Sequence, residues 1–366
     1  MNSGDRRVWL TAALVVVAAA MTPARAAADT VRIGAILSLT GNTAAQGLSL
    51  RDGLLLATDE INKRGGINGN RIEIVVEDSR SDPAAAVEAF NRMEASRPPL
   101  FYLAFLSSVG VALGPLADQK KVVLVGLVSS AKALTDGRQW VYRYWPLSAG
   151  DTPPLMRILQ DLKVRKLGII HSNEEYGNEE ASLISRAFGD AGGTVTVQSI
   201  ELADTDFHRQ IEALKGQEAI LLATLGDSLT SAVHQLRSAG YGGAILMPSS
   251  GANPSFFTLP DFQNIYLAAP ITYNPGYLYA REAANKFTAR YKTPFNHWAA
   301  SGYDFLAMIS GLLEDRPLTR AAVGQALASG FEYSGVFGPV SVRPGERDLS
   351  FPMYPAQISG NTIKFR

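Results

Sequence analysis

From residue 31 to residue 273 the chain alternates short apolar runs with helical patterns, and that alternation limits its folds more than any other feature. The runs read "VRIGAILSL", "RIEIVVED", "LFYLAFLSS", "VVLVGLVSS", "KLGIIHSN", "TVTVQSIEL", "AILLATLGD", "AILMPSSG" and "IYLAAPITY". Most are continuously apolar, as strands covered on both faces should be, which points to parallel sheets flanked by helices. Between the first two runs Leu50, Leu54, Ala57 and Ile61 recur at helical spacing, and Gly65-Gly66 end the helix. The stretch "GNEEASLISRAFGDAGG" repeats the scheme, as does "DSLTSAVHQLRSAG". The predicted class is therefore α/β, doubly wound. The strand–helix series at 31–130 and 166–251 look like two similar lobes, with Arg143 to Pro154 crossing between them. Three further helices and two or three short strands follow.

Residues 1–28 have the grammar of a cleaved secretory signal: a basic start, the apolar "VWLTAALVVVAAA" and the small-x-small "ARA". No later segment approaches the roughly 20 apolar residues of a membrane span. The leader removes Arg6, Arg7 and Arg25 from 34 basic residues and Asp5 from 34 acidic ones, leaving a net charge near −2. That balance argues against nucleic acid as a partner. With no cysteine in the chain, an exported product must rely on its core rather than on disulfides.

Open α/β sheets bind ligands beyond the carboxyl ends of their strands. Here those ends carry "SLTGN", Ser107-Ser108, Ser129-Ser130, "HSNEEYG", Asp227 and Ser249-Ser250. Facing hydroxyl-lined strand ends on two lobes describe a cleft that closes on a small polar solute. The loop "TGNTAAQG" forms one lip; Leu48 and Ser49 stand where a phosphate-binding loop needs Lys and Ser/Thr, so it suits a carboxylate better than a nucleotide. "SSAK" at Ser129 to Lys132 lacks the partner motifs of serine acyl enzymes. The four histidines are isolated, which leaves no zinc site. Glu174-Glu175 and Glu179-Glu180 read as the solvated first turns of a helix, where acidic residues favour the macrodipole.

In order and spacing, "VRIGAILSLTGNTAAQGLSLRDGLLLATDEINKRGGINGNRIEIVVEDSRSDPAAAV", "LGIIHSNEEYGNE", "DFHRQIEALK", "LRSAGY" and "FGPVSVRPGERD" resemble the periplasmic leucine/isoleucine/valine-type solute-binding proteins of ABC importers. The resemblance covers essentially the whole chain after the leader. It implies a type I periplasmic binding fold, two doubly wound α/β lobes joined by a three-strand hinge that closes on the solute. Residues 29–147 with 273–335 would form the N-terminal lobe, and 148–272 with 336–366 the C-terminal lobe. It also implies a non-enzymatic, monomeric periplasmic receptor without cofactor or metal, with membrane permease and ATPase subunits as partners; a ligand-sensing module acting on a signalling partner is the alternative.

Residue by residue, the resemblance assigns the carboxylate grip to Ser107, Ser129 and Ser130 and the closing tyrosine to Tyr176. Gln46 stands near the family's aromatic cover, and Ser108 and Trp145 join the candidate set. Ser249 stands where amino-acid binders of the family carry a glutamate for the ammonium, and Ser148 takes the place of a second acid. Asp227 is then the one acidic candidate found at a strand end. The expected solute is a small carboxylate-bearing molecule, an amino acid or an aromatic or other organic acid, with the change at Ser249 favouring an acid without an amine.

Overall fold

The computed structural model describes residues 30–274 and 276–366; the expected leader lies outside the described residues. Strands β1 (Thr30–Leu37), β2 (Arg71–Asp78), β3 (Tyr102–Phe105), β4 (Leu124–Leu127) and β5 (Val141–Tyr144) form a five-stranded parallel sheet ordered β2-β1-β3-β4-β5. Helices α1 (Ala44–Lys63), α2 (Pro83–Ser96) and α3 (Ser107–Lys120) connect the first four. β3 to β5 are buried at every position, whereas edge strand β2 is mostly half-exposed, which matches their more continuous apolar character.

After α4 (Thr152–Asp161) the same winding recurs. β6 (Lys166–Ser172), α5 (Glu175–Asp190), β7 (Thr194–Ile200), α6 (His208–Ala213), β8 (Ala219–Ala223), α7 (Gly226–Ser238), β9 (Ala244–Met247), α8 (Pro254–Phe257) and β10 (Tyr266–Pro270) give the order β7-β6-β8-β9-β10. Antiparallel β13 (Met353–Ser359) and β14 (Thr362–Phe365) extend that sheet beyond β10.

The three tail helices, α9 (Leu278–Tyr291), α10 (His297–Leu312) and α11 (Arg320–Ala328), return to the first lobe, followed by the hairpin β11 (Phe331–Gly335) and β12 (Gly338–Val342). α10 lies directly on α1. A Cβ on Gly53 would meet the Ala299 carbonyl at 2.0 Å and one on Gly302 the Leu50 carbonyl at 2.7 Å, so only glycine permits this crossing.

Val336, Phe337, Val340, Val342, Leu349 and Phe351 pack into the first-lobe core. The expected division at 335 takes no account of that packing, and we propose a boundary near Met353, which touches the cores of both lobes. Arg143, fully buried near the end of β5, ties that strand to the segment between β12 and β13: its Nε donates to Asp348 Oδ1 at 2.8 Å and its backbone bonds Arg347 and Leu349.

Candidate functional site

In each sheet the winding reverses direction beside the first-formed strand, between β1 and β3 and between β6 and β8. A crevice opens at such a point because the connections leave to opposite faces. The two crevices face each other across a narrow cavity of about 30 Å³, lined by Thr43, Gln46, Phe105, Leu106, Ser107, Val128, Ser130 and Trp145 from the first half of the chain, Tyr176, Leu225, Ser249 and Ser250 from the second lobe, and Trp298 from α10. The mixed aromatic and hydroxyl lining is that of a site for a small organic molecule, which the lobes would have to part to admit.

The first-lobe wall is rich in donors. Leu106 (φ 77°) and Val128 (φ 53°) both adopt left-handed backbone conformations at the ends of β3 and β4. Side chains with a Cβ rarely accept this, and strain of that kind gathers where a site is shaped. Leu106 leads directly into α3, whose first N–H groups have no intrahelical acceptor. Ser107 Oγ accepts the Ala131 N–H at 3.3 Å, leaving its own hydrogen to donate. Ser130 Oγ accepts from Ser148 Oγ at 3.0 Å.

The second-lobe wall has the opposite character. Ser249 spends both its N–H and its hydroxyl hydrogen on Asp151 Oδ2, at 2.8 and 2.7 Å, so its Oγ faces the cavity as an acceptor. Tyr176 donates to Ser250 Oγ at 2.7 Å. Tyr176 is aimed by Glu174, whose carboxylate accepts the Tyr176 and Gly177 N–H groups at 3.0 and 2.8 Å and so caps α5.

Residues 30–362 match the family model described as periplasmic binding protein. The chain belongs to that family. Among relatives of this periplasmic binding protein, a Leu/Ile/Val-binding protein homolog from Brucella melitensis is 26% identical over 355 residues, 93% of this chain and 94% of its own. The leucine-, isoleucine-, valine-, threonine- and alanine-binding protein of Pseudomonas aeruginosa is 25% identical over a stretch covering 62% of each chain. Two solved structures share the fold with a TM-score of 0.83: LivJ from Streptococcus pneumoniae in complex with isoleucine (20% identity, 92% of this chain, 98% of that one) and a Rhodopseudomonas palustris solute-binding protein in complex with 3,4-dihydroxybenzoic acid (17%, 92% and 95%).

Of the residues singled out in the sequence, Gln46, Ser107, Ser130, Trp145, Tyr176 and Ser249 line the cavity of this periplasmic binding protein. Three do not. Ser129 is fully buried beneath the wall: its carbonyl accepts from Arg143 at 3.0 Å, and its hydroxyl reaches only the Leu127 carbonyl at 3.5 Å. Ser108, one residue further around α3, opens on the outer groove with Asn173 and Glu174. Asp227 is exposed at the start of α7, and its N–H donates to Asn42 Oδ1 at 3.2 Å.

Glu174, Glu179 and Glu180 also depart from a solvated face, whereas Glu175 remains an acidic residue of the first turn of α5. Glu174 is the cap, Glu179 Oε2 accepts the Lys132 N–H of the other lobe at 2.6 Å, and Glu180 is fully buried. Their helical phase carried the missing signal, since Tyr176, Glu180 and Ile184 share one face and all three are buried.

Asp151 was missed altogether. It precedes Thr152-Pro153 like a cap, yet its side chain does not cap α4. Burial raises its carboxyl to about 6 against the two Ser249 bonds, and burial with the Asp151 charge holds the Glu180 carboxyl well above the usual range. Behind Trp145 and Trp298, His297 donates from Nδ1 to the Ala252 carbonyl at 2.9 Å, and burial pushes its pKa down to about 4, so it is neutral. No helix among the described residues is long and apolar enough to cross a membrane, and no group of acidic or histidine side chains among them could hold a metal.

Proposed function

We propose that this periplasmic binding protein is an exported receptor that captures a small carboxylate-bearing solute between its lobes and presents it to the permease and ATPase subunits of an ABC importer. The observation that carries this reading is the two-walled cavity, with donors of the α3 start, Ser107 and Ser130 converging on one side. Unpaired backbone N–H groups and hydroxyls suit a carboxylate and leave no mismatch with its acceptor-only oxygens. Trp145 and Trp298 supply apolar surface for the solute's body. The relatives named for leucine, isoleucine and valine, and the fold shared with isoleucine- and dihydroxybenzoate-bound proteins, support the same solute range.

A thermal-shift screen of the exported protein against amino acids, aromatic acids and short aliphatic acids tests the reading. A solute at 1,000 times its Kd stabilises by about 4 kcal/mol, enough to move the midpoint by several degrees. No shift with any carboxylate would remove the proposal. Intact mass of protein recovered from the periplasm checks export, with cleavage expected after Ala26 or Ala28.

A further inference from the structure

Directly behind the Ser249 wall lie two fully buried carboxyl groups that the receptor reading does not use. Asp151 Oδ2 takes both Ser249 bonds, but Asp151 Oδ1 and both Glu180 oxygens have no hydrogen-bond partner. Ser148, beside Glu180, directs its hydroxyl to Ser130 instead. A buried carboxylate without donors is costly, so a pair of them keeps a proton between them or waits for a cation. A separate observation on the opposite side of the cavity points the same way. Gln46 is only 7% exposed, lines the cavity, and its Oε1 is also unpartnered.

We propose that Asp151 and Glu180 form a proton-sharing pair that selects solutes bearing a protonated amine, and that seating such an amine drives the shared proton out to solvent. The inference rests on the carboxylate-receptor reading and narrows its solute class to zwitterions. Seated against Ser249 Oγ, the ammonium gives its hydrogens to an oxygen whose own hydrogen is committed to Asp151. It lies one hydrogen bond from the Asp151 charge and opposite the Gln46 amide. The incoming positive charge favours the ionised form of the pair: a carboxyl O–H bond breaks, the electron pair stays on the carboxylate, and the proton leaves to buffer. The carboxyl charge that Ser249 itself cannot supply is thus provided from behind it. The expected preference for an acid without an amine is reversed by Asp151, which does not stand at a strand end.

The groups acting on the pair are Tyr176, Glu174 and Glu179 of α5, with Ser148 and Ser249, and none of these is a cation. His297, on the first lobe behind Trp145, stays neutral from pH 5 upward. With Asp151 near 6, a second proton enters the pair below that pH and competes with the amine.

The experiment is calorimetric titration with each standard amino acid, its deaminated acid (4-methylpentanoate for leucine), benzoate and 3,4-dihydroxybenzoate. It is run at pH 5 and 7.5, in buffers of different ionisation enthalpy. The expected result has three parts. The best amino acid binds at least tenfold tighter than its deaminated acid and releases protons on binding. Its affinity falls about tenfold from pH 7.5 to pH 5, a window in which the α-amino and α-carboxyl groups of free amino acids do not titrate. Folded Asp151→Asn and Glu180→Gln variants lose the pH dependence and the amine preference but keep their affinity for the deaminated acid. A pH-independent affinity, or an amine preference that survives in both variants, overturns the inference. If deaminated or aromatic acids bind and amino acids do not, this inference fails and the receptor reading stands. If no carboxylate binds, both fall.

Discussion

Buried acids in the two lobes show opposite uses of the same burial. Asp304 on α10 is fully buried, and each of its oxygens is satisfied twice. Oδ1 accepts from Tyr333 Oη at 2.7 Å and the Val336 N–H at 2.9 Å; Oδ2 accepts from Tyr144 Oη at 2.8 Å and the Phe337 N–H at 3.4 Å. These donors come from β5, β11 and the turn after it, so Asp304 binds the returning hairpin to the first sheet. Burial raises its pKa and the four donors pull it back. Asp151 and Glu180 are as deeply buried but leave three oxygens bare. Burial alone therefore does not mark an acid as functional. A saturated acid is a structural tie, whereas an unsaturated one beside a cavity is poised to act.

The largest test of the contrast is stability. Asp304→Ala strands four donors at once, and leaving buried donors unsatisfied costs about 1–3 kcal/mol each, so a loss of about 3–5 kcal/mol or more is expected. Asp151→Asn removes a charge with incomplete partners and should stay within about 1 kcal/mol of the wild type at pH 7.5. Urea denaturation of both variants measures the difference. Equal losses would mean that Asp151 is a structural tie as well.

Binding should divide along the other axis. Ser107 donates to the cavity from the first wall, whereas Ser129 lies beneath it. Losing a hydrogen bond to a charged group costs about 1.5–3 kcal/mol, so Ser107→Ala should weaken carboxylate capture roughly 10- to 150-fold. Ser129→Ala should leave affinity unchanged within a factor of about two, because its hydroxyl makes only one long contact. Calorimetry with any carboxylate that binds reads both, and a larger effect at Ser129 would reverse the assignment.

The legible and illegible parts of the site follow the same division. Continuous apolar runs identified the buried strands, "LFYLAFLSS" containing β3 and "VVLVGLVSS" containing β4, and the shared lobe pattern returned as one winding order in both sheets. Strand-end logic reached Ser107, Ser130, Tyr176 and Ser249, because side chains just past parallel strands face the crevice whatever their neighbours are. It missed Leu106 and Val128, whose left-handed turns are imposed by surrounding packing and leave no mark on an aliphatic residue. Asp151 and Glu180 were hidden for another reason. Both stand beside helix starts, where acidic residues are ordinary, and only the fold brings residues 29 positions apart to one place. Asp227 failed conversely: it sits at a strand end, but the turn into α7 points it to solvent.

A smaller effect appears in stability against pH. The Asp151 carboxyl titrates near 6 in the folded chain against 3.8 when unperturbed. The folded state therefore binds the proton more tightly, and between these values the unfolded state holds fewer protons. The group's contribution is most favourable below about pH 4 and is lost as pH rises through 6. A tenfold difference in proton affinity corresponds to about 1.4 kcal/mol, so a rise from 3.8 to about 6 makes the loss on the order of 3 kcal/mol at most. Other carboxylates titrate in this range, so the readout is the difference between wild type and Asp151→Asn from pH 4 to 7.5, without solute. The wild type should lose ground to the variant as pH rises; an opposite slope would mean that the carboxylate is stabilised by partners and would align Asp151 with Asp304.

The smallest effect belongs to the seam between the lobes, at the loop "TGNTAAQG". Asn42, at its tip, donates from Nδ2 to the Leu202 carbonyl at 2.7 Å and the Leu225 carbonyl at 3.3 Å, and its Oδ1 accepts the Asp227 N–H at 3.2 Å. The loop thus acts as a latch that reaches into the second lobe, and Asp227 serves it through the backbone alone. Closure is tight there: Gly226 has φ +59°, and a Cβ on it would meet the Asn42 carbonyl at 2.1 Å. The bonds are neutral and partly exposed, and each contributes about 0.5–1.5 kcal/mol at most in the closed form. Asn42→Ala should therefore weaken solute binding only several-fold, mainly through faster release, with no change in the ratio of amine-bearing to amine-free solutes. Stopped-flow dissociation with a bound carboxylate measures the rate. Asp227→Asn, which keeps the backbone N–H, should leave the rate unchanged. A changed solute preference in Asn42→Ala would place selectivity in the latch rather than in the walls.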